Sequence, residues 1–137
     1  MITNDEVKEI LRKASRKQIR YIESDGRYVK LYTVSILATV LGRTDRSVRM
    51  HVKAENFPRP TVTINDRSYF SEIYILNANQ CMELGPDWIR WRLKFRETPD
   101  INIDMESERE KIYKLIEAMP AFNHLVRLRP EFPLSSD

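Results

Sequence analysis

Thr33-Val34-Ser35-Ile36-Leu37-Ala38-Thr39-Val40-Leu41-Gly42 runs straight into Arg43-Thr44-Asp45-Arg46-Ser47-Val48-Arg49-Met50-His51-Val52-Lys53, and the fold turns on this stretch. Thr33 can cap a helix, and Val34, Leu37, Ala38 and Leu41 recur at helical spacing until Gly42 breaks the run. Thr44 can cap a second helix with Asp45 at its positive end. Val48 and Val52 form the buried stripe of that helix, and His51 lies beside them. Two short helices joined this tightly must cross closely, which the small Ala38 and the Gly42 turn allow. With the valines inward, Arg46, Met50 and Lys53 project outward and Ser47 and Arg49 lie on the flanks.

Downstream, Asn56 is the expected left-handed exit from the second helix, and Phe57-Pro58-Arg59-Pro60 cannot continue it. Residues 61–64 and 67–70 read as two short strands around Asn65-Asp66. Ser71 then caps a helix to about Asn79, with Ile73, Leu76 and Tyr74 facing inward. Upstream, residues 5–18 read as a helix with Val7, Ile10, Leu11 and Ala14 on its apolar face. Lys8, Arg12, Lys13, Arg16 and Lys17 lie off that face, either as solvated surface or as contacts to phosphate. Asp25-Gly26 signals a turn, and residues 27–31 alternate as a strand does. Tyr21 and Ile22 are either the other arm of that hairpin or the frayed end of the first helix.

Helix, strand, helix, tight turn, helix and two-stranded hairpin is the element order of a winged helix-turn-helix. The fold expected is therefore mainly α with a small antiparallel β wing, followed by C-terminal helices. Residues 1–79 would form the winged helix-turn-helix, and residues 80–137 a helical region for dimerisation or partner binding, ending in a loose tail. An outward arginine on such a helix can read guanine by a bidentate bond in the major groove. Ser47 can bond a base or a phosphate, and Lys53 suits a phosphate. The helix start at Thr44 and Asp45 can offer backbone N–H groups to a phosphate, although the Asp45 carboxylate would repel one.

Residues 32–49, the Phe57-Pro58-Arg59-Pro60 segment and Asp66-Arg67-Ser68-Tyr69-Phe70-Ser71-Glu72-Ile73 together resemble the MerR-like and excisionase (AlpA-type) DNA-binding domains. The resemblance covers about residues 32–76. It implies a double-stranded DNA-binding protein of a phage or mobile element, acting as a transcriptional regulator or an excision accessory factor. It implies contacts from Arg43, Arg46, Ser47, Arg49 and Lys53, with Arg59 and Arg67 contributing from the wing. Two positions depart from the pattern. His51 stands where the family carries an aromatic residue, and Glu55-Asn56 stands where it carries glycine. A different class of function, protein docking in an assembly, packaging or anti-defence role, is the alternative.

Composition sets the outer bounds. Fourteen Lys and Arg against eight Asp and Glu fall in residues 1–70, and nine against twelve in residues 71–137. The first half is either a polyanion-facing module or simply solvated surface, a choice that the charge balance alone does not make, and residues 80–128 would serve as a homodimer seam or meet a protein partner. Trp88, Trp91 and Phe95 fall on one side of a predicted helix, and Met105, Ile112, Leu115, Ile116 and Met119 form the stripe of another over 104–119. No apolar run is long enough to cross a bilayer, no secretion signal opens the chain, and the single Cys81 fits a reducing, cytoplasmic setting. Cys81, His51 and His124 are too scattered for a metal site. No phosphate loop and no nucleophile motif is present, so neither catalysis nor a cofactor is expected.

Overall fold

The structure, a computed structural model, describes residues 2–24, 27–57, 59–82, 110–114 and 126–127. The first helix, α1 (Asn4–Arg12), begins at a capping box. Thr3 Oγ1 accepts from the Glu6 N–H at 3.1 Å, and the Glu6 carboxylate accepts from the Thr3 N–H at 3.2 Å. Val7 and Leu11 are fully buried, with Ile10 and Ala14 packed beside them. The helix stops at Arg12 and does not run on to Gln18, because Ser15 starts a second box with Gln18 and redirects the chain into a 3-10 turn (Arg16–Gln18).

That turn feeds β1 (Ile19–Ser24), which pairs antiparallel with β2 (Arg27–Thr33) over its whole length. Tyr21 and Ile22 therefore belong to a hairpin arm. Next come α2 (Val34–Leu41) and α3 (Asp45–Lys53), followed by β3 (Val62–Ile64) and β4 (Arg67–Phe70) and then α4 (Glu72–Cys81). A two-residue strand, β5 (Val126–Arg127), completes a five-stranded antiparallel sheet in the order β1-β2-β4-β3-β5. The fold is thus mixed α/β. The expectation of a mainly α fold with only a small hairpin underestimates the sheet, because β1–β2 and β5 extend the hairpin on both edges.

The sheet separates two apolar clusters. On one side Tyr32 and Phe70, which are register partners, pack with Val7, Leu11, Leu37, Leu41, Val48 and Tyr74. The Phe70 and Tyr74 rings meet at 4.9 Å. On the other side Ile22, Val29, Leu31, Val62, Ile64 and Tyr69 surround Ile112, which is fully buried. Residues 110–114 are helical, so this turn covers the second sheet face. Burying such an isoleucine stabilises the fold by about 2–3 kcal/mol. Leu115, Ile116, Met119 and the Trp88–Phe95 segment lie outside the described residues.

α2 is apolar almost all round, with Val34, Ile36, Leu37, Ala38, Val40 and Leu41 buried, as a central helix must be. In α4 the buried residues are Tyr74, Ile75, Asn77, Ala78, Asn79 and Cys81, while Ile73 and Leu76 are half-buried. Tyr74 faces inward as expected, against Phe70, and Leu76 packs at the edge of the same cluster, while Ile75 and Ala78 take the buried place expected of Ile73. Ser71 caps α4 as expected, its Oγ accepting from the Tyr74 N–H at 3.1 Å. Among the described residues, no helix is long and apolar enough to cross a membrane.

Candidate nucleic-acid interface

α3 is placed by its two ends. Thr44 Oγ1 accepts from the Ser47 N–H at 3.1 Å, and Asp45 sits in the first turn, where the helix dipole favours a carboxylate. At the far end the Glu55 N–H donates to the Val52 carbonyl and the Asn56 N–H to the His51 carbonyl, a Schellman closure. The left-handed residue in that closure is Glu55, with φ of 63°, and not Asn56. The Asn56 side chain has other work, since its amide nitrogen lies 2.9 Å from His51 Nδ1. His51 also meets Phe57 edge-on at 6.2 Å, so it fills the place of an aromatic residue under the helix. Burial, and then the charge of Arg43, lower the His51 pKa from its ordinary 6.5.

Val48 is buried and Val52 packs on the same cluster, which fixes the rotation of α3. Arg46, Arg49, Met50 and Lys53 form its exposed face, and Ser47 is half-buried. Met50 is 59% exposed, unusual for a large apolar side chain and suited to contact with a thymine methyl.

The β3–β4 hairpin turns through Asn65 and Asp66, whose φ values of 48° and 65° are those a two-residue turn of the right twist needs. Its base is fixed by the Ser71 N–H, which donates to buried Thr61 Oγ1 at 2.9 Å. Between this hairpin, the C-terminal half of α3 and the start of β1 lies a cleft of about 960 Å³. Six cationic residues line it, Lys17, Arg20, Arg49, Lys53, Arg59 and Arg67, against two acidic ones, Glu55 and Asp66.

The cleft gathers four of the expected contact residues, Arg49, Lys53, Arg59 and Arg67. Arg43, Thr44, Arg46, Ser47 and Met50 are not among its lining and belong to the start and outer side of α3. Sequence reasoning left Lys17 as one of two possibilities and passed over Arg20. The missed signal is that Arg20 shares a strand face with Ile22, legible only once 19–24 is accepted as a strand. Thr33 also lines the cleft, but it does not cap α2 as expected. It makes no side-chain cap bond, and its buried hydroxyl has no hydrogen-bond partner.

Among the described residues no three His, Cys, Asp or Glu side chains gather as a metal site. Cys81 is buried on α4. No family model matches the chain, and comparison with curated proteins and with solved structures gives no match.

Proposed function

We propose that this protein binds double-stranded DNA as a winged helix-turn-helix, with α3 entering the major groove and the β3–β4 hairpin lying along the backbone as the wing. One observation carries the reading: Arg49 and Lys53 of α3 and Arg67 of the hairpin line one cleft whose charge is strongly positive. Phosphates attract such a surface whatever the base sequence, and base edges are then read by the exposed face of the helix. Arg46 and Met50 stand on that face beyond the cleft, where a bidentate arginine and an apolar contact can discriminate base pairs. The proposed activity is binding in the service of transcriptional control or excision, with two copies of the chain on a symmetric site. Fluorescence anisotropy on randomised duplexes at low and physiological salt tests it. Binding that weakens with salt, and that enriches a sequence on selection, is expected. If no duplex is bound at either salt, the α3 surface instead docks on protein.

A further inference from the structure

We propose that the cleft seats consecutive backbone phosphates of the bound DNA and that its far wall, Lys17 and Arg20, is part of the contact. This rests on the DNA-binding reading above and extends it to a segment that precedes the helix-turn-helix. Lys17 belongs to the 3-10 turn and Arg20 to β1, and both face the same cleft as Arg49 and Lys53. Two contacts fix where their backbone lies. Gln18, between them, donates from Nε2 to Ser35 Oγ at 3.3 Å, which ties the 3-10 turn to the first turn of α2. Arg20 stands opposite Leu31 in the β1–β2 register, on a strand whose next same-face residue, Ile22, is buried.

The floor of the cleft favours an anion as well. Thr33, Val34 and Ser35, at the start of α2, contribute to its lining. That helix start lacks a side-chain cap, so its first backbone N–H groups are not satisfied by Thr33. A phosphate here meets cationic side chains from three directions, α3, the hairpin and the 3-10 turn with β1, above the positive end of a helix. A phosphodiester suits this lining better than a base edge, because six of its eight charged residues are cations and a phosphate brings a full negative charge as well as acceptor oxygens.

The test is a salt series with the full chain on two duplexes of unrelated sequence. The wild type is compared with Lys17→Ala/Arg20→Ala and with the charge-retaining Lys17→Arg/Arg20→Lys. Each phosphate contact contributes about 0.9 to the slope of log affinity against log salt. The alanine pair should therefore lower the slope by about 1.8 and weaken binding by tenfold or more at about 0.1 M salt, equally on both duplexes. The charge-retaining pair should keep the wild-type slope. Single Lys17→Ala, at an exposed position, should remove about half of the effect without altering melting. A wild type that binds both duplexes while the alanine pair keeps its slope overturns the inference and leaves the DNA-binding reading standing. Weakening on one duplex only also overturns it, since that is base reading. A wild type that binds no duplex overturns both.

Discussion

Gly42 and Glu55 occupy equivalent positions at the ends of α2 and α3, both left-handed, with φ of 66° and 63°. At each, the N–H of the left-handed residue bonds back three residues and the next N–H bonds back five, Arg43 to Ala38 and Asn56 to His51. One position is held by the residue that adopts this conformation freely, the other by one that does not. Gly42→Ala should destabilise by about 1–2 kcal/mol through the backbone alone, because an added Cβ would meet nothing within 4 Å. Glu55→Gly should stabilise by roughly 0.5–1 kcal/mol. Urea unfolding of both variants checks the pair, and a destabilised Glu55→Gly would mean that the glutamate's own contacts outweigh its strain.

Ile112 sits within the sheet cluster and is fully buried. Ile112→Ala should cost about 2–5 kcal/mol, and Ile112→Glu more, since a carboxylate would lose water without gaining a partner. Thermal melting reads both. Wild-type melting in the glutamate variant would mean that residues 110–114 do not cover the sheet.

Arg46 and Arg67 should fail differently on DNA. Arg46→Ala should cost about 1–3 kcal/mol on the preferred site and flatten discrimination there. Arg67→Ala should weaken preferred and scrambled duplexes alike and lower the salt slope by about one. Titrations of both variants on both duplexes check this. Identical losses from the two substitutions would argue against separate base-reading and backbone roles.

His51 gives a pH dependence with a definite sign. Its pKa in the folded protein lies below the ordinary 6.5, so the unfolded chain takes up the proton more readily. The stability is complete above about pH 6.5 and is lost as the pH falls towards the folded value. Replacing His51 by phenylalanine should keep the edge contact with Phe57 and reduce the loss of stability between about pH 8 and pH 5. An unchanged loss in that variant would assign the pH dependence to other groups.

Helices α2 and α3 and the β3–β4 hairpin were legible in the sequence because each is specified locally. Thr44 and Ser71 are caps whose hydrogen bonds form within three residues, and Asn65-Asp66 closes a two-residue turn. The shape of the cleft was not legible. Arg20 reaches it only because β1 pairs with β2 and Gln18 holds the 3-10 turn on Ser35, a contact spanning seventeen residues. The end of α1 was misjudged because the apolar spacing continues through Ala14, while the Ser15–Gln18 box, a polar signal, stops the helix first. Glu55 escaped notice because propensity assigns the left-handed place to asparagine, and the bond between Asn56 and His51 needs that asparagine one residue later.

The pairing of β3 with β5 also sets when the sheet is complete. Ile64, beside the tip of the hairpin, is opposite Val126, and Thr63 is opposite Arg127. During synthesis at about 5–20 residues per second, the ribosome therefore finishes β3 roughly 3–13 s before it supplies the strand that closes the sheet edge. Over that interval β3 is a free edge and the face later covered by Ile112 is bare, the condition in which sheets recruit foreign strands. A nascent chain would be vulnerable then, and chaperone occupancy should peak after α4 emerges and fall once residues 126–127 are out.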